Sequence, residues 1–440
     1  MKRFASSGLP ARNVATFREE KNFDFILFKI SRLPNGLAVA SVDLGGPVSQ
    51  LVIAYKAGTR YEMPDEAGLV HHIRNCFGGD SSRYYGAQLL WQCGSAGASV
   101  NSMMTRDLLG VQMSVIRDHA QLGLSLLGEL AQPAFKPWDV EDFSEALNID
   151  RSYLKPYDML MEKLHDAAFR NGPLGNRLFA KEKSIGKFSY RKMQIFAASQ
   201  MVTGNAVLVG VNIPHELIVD YASSQFTLPE GSPCSVKPSK YYGGEERHKT
   251  LLNEAHVAIA GRGAPLTNLK GLATQAVLSA AFGQGASAKY AVGAGQGAIA
   301  KAIFKASNGY PFGFDSISEV YSDEGLVGIY LVSEPDHIGT LCDAAVKAIK
   351  SFKIDDSVLE TSKNIAKMNV LTRAESAENL AVDRAAQILA TGKAETVSDL
   401  LQEITSVTIS DVAKAADQMR SKLSLASHGN IYQVPYLDQL

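Results

Sequence analysis

The segment Asp107-Leu-Leu-Gly-Val-Gln-Met-Ser-Val115 returns 218 positions later as Gly325-Leu-Val-Gly-Ile-Tyr-Leu-Val-Ser333. Both are short apolar runs of the kind that forms a buried strand. At the same offset Leu108 and Gly110 fall on Leu326 and Gly328, and Asp118-His119 falls on Asp336-His337. Further on, Ala197-Ala198 meets Ala415-Ala416, Gln200-Met201 meets Gln418-Met419, and Asn212 meets Asn430. A one-residue slip separates the clusters, since Phe135-Lys136 matches Phe352-Lys353. One identity at a fixed offset carries little weight, but several clusters in order mark an internal repeat.

The segment after each strand also repeats. Leu122, Leu124, Leu127 and Leu130 in one copy, and Ile338, Leu341, Ala344, Ala345 and Ile349 in the other, recur at helical spacing. Asp118 and Asp336 stand where an acid favours a helix N-terminus. A second helix is expected from about Asp139 and from Asp355, and a third over Ser189–Met201 and Ser410–Met419. Each copy closes with a strand, Ala206–Val211 and Lys422–Ser427. His119 and His337 sit in equivalent places and read as helix-start surface residues. The first copy opens with a hairpin around Asn35-Gly36, then a strand over Gln50–Tyr55 and a helix from near Asp65.

The fold class is therefore α+β, with two homologous halves each built as an antiparallel sheet with helices. The seam is expected over residues 228–244, where Pro229, Gly231, Pro233, Pro238, Gly243 and Gly244 interrupt apolar periodicity. The halves then span residues 23–227 and 245–440. Residues 1–22 carry Lys2, Arg3, Arg12 and Arg18 with Ser6, Ser7 and Thr16 and no acid before Glu19, a pattern resembling a mitochondrial targeting segment.

Composition excludes several classes. The chain has 440 residues, 46% hydrophobic and 20% charged, in the range of globular proteins. Its 44 basic and 45 acidic side chains leave a net charge of −1, which offers no footprint for nucleic acid. Apolar runs such as Ala206–Val211 fall far below the ~20 residues that a membrane-spanning helix needs. Cys76, Cys93, Cys234 and Cys342 have no zinc-ribbon spacing and read as buried small hydrophobes.

Gly36-Leu37, then Ala57-Gly-Thr-Arg-Tyr-Glu62, then Gly68-Leu-Val-His71 resemble the opening of the pitrilysin/insulinase-type metallopeptidase family. The resemblance implies two halves arranged as a clam-shell and, in active members, an inverted motif His-x-x-Glu-His. Two histidines at i and i+4 share a helix face and chelate zinc, while the glutamate activates the bound water. A further carboxylate ligand comes from a helix about 75 residues on. Here the motif reads His71-His72-Ile73-Arg74-Asn75. His71 matches the first ligand, Arg74 replaces the general base and Asn75 replaces the second histidine. A guanidinium is always protonated and cannot accept a proton from water. The site is read as degenerate, with no catalytic residue, metal or cofactor expected. Glu145 and Asp150 are the acids on the distant helix, and without partners they read as a solvated face. His72 and Cys76, at i and i+4, are the one alternative zinc pair.

Within the family, Asn148–Arg151, Leu164–Asn171, Tyr321–Tyr330, Ala426–Asn430 and Pro435–Leu440 resemble the core protein 2 branch, the non-peptidase members found in ubiquinol–cytochrome c reductase. That resemblance implies a peripheral place on the matrix side of the mitochondrial inner membrane. Its implied partners are a core protein 1-like subunit, cytochrome b, the c-type cytochrome and the Rieske protein, with no nucleic acid. The alternative is a presequence-binding, non-catalytic subunit of a processing-peptidase heterodimer, for which the glycine-rich stretch 283–297 is the candidate loop. Gly283-x-Gly285-x-x-Ala288 comes after a helix, not a strand, and so fails as a dinucleotide fingerprint.

Overall fold

Strands begin where apolar runs are short and β-branched, and helices where the apolar spacing widens to three and four residues. The computed structural model of the chain describes residues 27–233, 235–285 and 297–440. The first half runs β1 (Lys29–Arg32), β2 (Ala38–Val42), β3 (Val48–Tyr55), α1 (Leu69–Cys76), α2 (Gly86–Ser95), β4 (Ser99–Met104), β5 (Leu109–Ile116), α3 (Ala120–Leu130), α4 (Pro137–Ser152), α5 (Pro156–Phe169), α6 (Tyr190–Gln200), β6 (Ala206–Val211) and α7 (His215–Ser224). The second runs β7 (Gly244–Lys249), β8 (Ala255–Gly263), α8 (Leu269–Phe282), α9 (Ala298–Ala306), β9 (Phe312–Val320), β10 (Gly325–Ser333), α10 (Pro335–Lys350), α11 (Asp356–Glu375), α12 (Ala377–Thr391), α13 (Val397–Ser406), α14 (Ile409–Ser421) and β11 (Ser424–Gly429). The targeting-like residues 1–22 and most of the 283–297 loop lie outside the described residues.

The duplication is visible strand by strand. The first sheet has the order β1-β2-β6-β3-β5-β4, and the second β7-β11-β8-β10-β9. With the edge strand β1 removed, the orders coincide. So do the pairing senses, because β2–β6 and β7–β11 are parallel and every other pair is antiparallel. The repeated Gly110 and Gly328 have one physical cause. A Cβ on Gly110 would lie 2.2 Å from the Ile53 carbonyl oxygen, and one on Gly328 would lie 2.2 Å from that of Ile259. At both positions the neighbouring strand approaches too closely for any side chain.

Each half lends one helix to the other. On β2, Val39 joins the first half's own core while Ala38, Ala40 and Val42 face the opposite way, against Leu380, Ala381, Ala385 and Ile388 of α12. Reciprocally, Leu160, Leu164, Ala168 and Phe169 of α5 pack on Ala258, Ala260, Leu326 and Ala426 of the second sheet. α5 and α12 hold equivalent positions in the element order, so the exchange obeys the internal symmetry. It also explains why β3 and β6 read as nearly continuous apolar runs, since both faces of each are covered.

Two local expectations shift. The helix expected from Asp65 begins only at Leu69, because residues 64–66 form a single 3₁₀ turn and Gly68, at φ +96°, breaks the path. Ser189 is the N-cap of α6, its Oγ accepting from the Lys192 N–H. Among the described residues no helix is long and apolar enough to cross a membrane.

Candidate functional site

Helix α1 has no capping side chain of its own. Its first turn is held by Glu62, which accepts from the Gly68 N–H (3.1 Å) and the Val70 N–H (2.7 Å). Burial pushes the Glu62 carboxyl up to about 8, against the pull of these two N–H bonds. The cap orients α1 so that His71 and His72 are both buried.

Each histidine is committed at both ring nitrogens. His71 Nδ1 accepts from the Ala180 N–H (3.2 Å), which leaves Nε2–H to donate to Asp150 Oδ2 at 2.9 Å. His72 has the opposite tautomer, with Nδ1–H donating to the Gly68 carbonyl (2.7 Å) and Nε2 accepting from the Gly186 N–H (3.3 Å). Burial lowers His71 to about 4, and the Asp150 carboxylate reverses this only in part. His71 is therefore neutral at neutral pH.

Arg74 places its guanidinium 2.8 Å from the same Oδ2 of Asp150. Burial alone would raise the Asp150 carboxyl, but His71 and Arg74 together hold it below the ordinary aspartate value. His71, Asp150 and Arg74 thus close into one cluster in which the arginine supplies the positive charge. Asn75 turns away from it and donates from Nδ2 to the His71 carbonyl of its own helix at 3.0 Å. Cys76 is a buried thiol in the first-half core, pushed up to about 12 by burial. With His72 satisfied by backbone groups, the His72–Cys76 pair has no free nitrogen to offer. Among the described residues no group of three or more His, Cys, Asp or Glu is arranged to hold a metal ion.

Asp150 differs from the solvated face read from the sequence. At 25% side-chain exposure it is the hub of the cluster, because α4 crosses α1 and brings it onto His71 and Arg74. Glu145 makes no hydrogen bond or ion pair with the cluster. His119 caps nothing catalytic, its Nδ1 bonding the Ala96 carbonyl, and His337 stacks on Tyr310.

Next to the cluster, Phe179 contacts the His71 ring and lines a cavity of about 450 Å³ between the halves. Its wall includes the equivalent turns that join β4 to β5 and β9 to β10. Inside, Arg106 pairs with Glu162 at 3.1 Å, and Tyr321 donates its hydroxyl hydrogen to His165 Nε2 at 2.7 Å. His165 Nδ1–H in turn donates to the Met161 carbonyl, and burial keeps the ring neutral. The two turns are tied by Arg60, which is 5% exposed and bridges Asp107 (2.6 Å) of one half to Asp323 (2.7 Å) of the other. The Ser322 N–H also donates to Asp107 Oδ2 at 2.8 Å. Arg60 and Glu62 lie inside a family motif, yet nothing in the sequence around them assigns either a role. Neither a charge tie between halves nor a cap six residues ahead of its helix has a local signature.

The arrangement can hold charge and shape. Arg74 cannot take up a proton, and His71 and His165 already use both nitrogens.

Similarity to known proteins extends along most of the chain. The model of "Insulinase (Peptidase family M16)" matches residues 38–182, and that of "Peptidase M16 inactive domain" matches residues 187–365. The chain is 28% identical to "Cytochrome b-c1 complex subunit 2, mitochondrial" of Rattus norvegicus over 419 residues, covering 94% of this chain and 92% of that protein. It is 26% identical to "Probable mitochondrial-processing peptidase subunit alpha-1, mitochondrial" of Arabidopsis thaliana, covering 94% and 84%. A chain of complex III2 from Candida albicans, solved with Inz-5 bound, shares the fold at TM-score 0.82 and 18% identity, over 93% of this chain and 98% of that one.

Proposed function

Because the chain belongs to the insulinase (M16) peptidase family, we propose that it is a non-catalytic, core protein 2-type subunit of the mitochondrial ubiquinol–cytochrome c reductase complex. The observation that carries the loss of chemistry is the His71–Asp150–Arg74 cluster. A fixed guanidinium stands among the side chains where an active relative needs a metal and a general base, and it neutralises the carboxylate that would otherwise invite a cation. The partner assignment rests on the similarity along nearly the whole length to cytochrome b-c1 complex subunit 2.

In this reading the protein is peripheral on the matrix side of the inner membrane. It sits beside a core protein 1-like subunit and supports cytochrome b, the c-type cytochrome and the Rieske protein. Residues 1–22 serve as the targeting extension. Residues 23–227 and 245–440 are the two halves, joined by 228–244. In this reading the chain contributes surface and rigidity. The reciprocal exchange of α5 and α12, with Arg60 bridging the halves, suits that role.

The test is to solubilise mitochondria in mild detergent and resolve native complexes. The chain should migrate with b- and c-type haem absorbance. Purified alone, it should bind no stoichiometric zinc and show no phenanthroline-sensitive cleavage of a presequence peptide. Chelator-sensitive cleavage by the isolated chain would overturn the reading. A second reading, a presequence-holding partner in a processing-peptidase heterodimer, is favoured by the 26% identity to the alpha-1 subunit. Deleting 283–297 separates the two. Lost presequence binding with intact assembly favours the partner role, and unchanged binding favours the structural one.

A further inference from the structure

Adjoining the cluster and the cavity between the halves, with Phe179 as a shared wall, a larger groove of about 890 Å³ is lined by the Tyr61–Gly68 loop. Its other walls are the C-terminal end of α5 with the loop after it, and the linker at Ser235–Lys237. Its charge is lopsided for a chain whose net charge is −1. Five cations line it, Arg60, Arg170, Arg177, Lys181 and Lys237, against two acids, Glu62 and Asp166. Arg60 is neutralised from behind by Asp107 and Asp323, and Arg177 by Asp166 at 2.5 Å. Glu62 is turned inward onto the start of α1.

Three cations remain without a carboxylate partner among the described residues. Arg170 donates only to the Gly243 carbonyl, at 3.4 Å, and lies over the Tyr242 ring, while Lys181 and Lys237 are exposed. Arg170 also closes α5 at φ +54°, ψ −124°, a backbone conformation that a non-glycine residue rarely adopts. One donor in the groove wall is left over. Arg60 is 5% exposed and its terminal nitrogens are held by Asp107 and Asp323, but its buried Nε–H has no acceptor among the described residues.

We propose that this groove binds a multivalent phosphate-bearing anion. Clustered cations on a concave wall focus positive potential. A guanidinium grips phosphate oxygens through a planar fork, and lysines add mobile point charges. The volume greatly exceeds one phosphate and suits an anion carrying two. A phospholipid headgroup with two phosphates and a soluble organic diphosphate share that chemistry.

The experiment uses the full chain and two probes. Inorganic pyrophosphate is titrated calorimetrically, and phosphatidylcholine vesicles with and without diphosphatidylglycerol are co-sedimented with the protein. The double variant Lys181→Glu/Lys237→Glu is compared with Lys301→Glu/Lys305→Glu on exposed positions of α9, which changes the net charge equally. The groove variant should bind about tenfold more weakly and the control should match the parent. Affinity should also fall as salt is added. Pyrophosphate binding without vesicle binding assigns the site to a soluble diphosphate, and binding to the anionic vesicles assigns it to lipid. If the parent binds neither probe, or both variants lose binding alike, the proposal is overturned.

Discussion

Helices α1 and α8 hold the same place in the two halves, each coming after the strand that pairs with both β5 and β6 or with both β10 and β11. Their contents are opposite. In eight residues α1 carries two buried histidines, Arg74 and Asn75, of which His71 and Arg74 are tied to Asp150 from outside the helix. In fourteen residues α8 carries one charged side chain, Lys270, and buries Ala273, Val277, Leu278, Ala281 and Phe282. One framework therefore tolerates an ionic cluster or a mostly apolar helix, whose buried polar side chains are Thr274, Gln275 and Ser279, at the same point. The duplicated sheet does not require the cluster on α1, so that cluster is a local construction with its own energetic consequences.

The sharpest way to break this comparison is to cut what joins the halves. Arg60→Ala leaves Asp107 and Asp323 facing each other with little solvent, and should cost about 3–5 kcal/mol. Denaturant unfolding measures it, and a loss under about 1 kcal/mol would mean that Arg60 adds little to the helix exchange and the other contacts between the halves. Removing the hub of the cluster comes next. Asp150→Ala strips partners from His71 and Arg74 and should cost about 1.5–3 kcal/mol. Asp356→Ala, in the exposed first turn of the equivalent helix α11, should stay within about 0.5 kcal/mol. Similar losses at both sites would show that the cluster adds nothing specific.

The glycine pair tests where the halves are alike. Gly110→Ala and Gly328→Ala should each cost about 1–3 kcal/mol, and by similar amounts, since each new methyl meets a strand carbonyl at the same distance. A large difference would show that the two sheets are not equivalent there. The smallest effect is that of pH. His71 in the first half and His428 in the second are both lowered to about 4, chiefly by burial. In the unfolded chain they take up protons near 6.5, so stability is complete above that value and falls as pH drops toward 4. Between pH 7 and 6 the loss should be about 0.7 kcal/mol per histidine. His71→Gln and His428→Gln should each flatten the slope of unfolding free energy against pH, and an unchanged slope in either would show that histidine already charged in the fold.

Much of the framework is legible in the sequence. The strand pair at 107–115 and 325–333, the helices after it and the closing strands all recur, because repeated packing demands repeated side chains. Gly110 and Gly328 announce a close approach by matching each other. The motif at His71–Asn75 can be read residue by residue, since an arginine in place of a glutamate changes the chemistry wherever it folds. Asp150 is not legible in its role. It lies 79 positions from His71, and only the crossing of α4 over α1 brings their side chains to 2.9 Å. Glu62 and Arg60 stand out only as members of a motif, because a distant cap and a tie between halves leave no periodic trace.

By itself, then, the amino-acid sequence determined the duplication, the α+β character and the loss of a proton-accepting group at position 74. These depend on local spacing and on the fixed chemistry of side chains. Tertiary structure decided that α5 and α12 change places, that Arg74 binds Asp150, that Arg60 joins the halves and that three cations share one groove. Each of these depends on which surfaces meet in space, and burial and charge pairing act on distance, not on position along the chain.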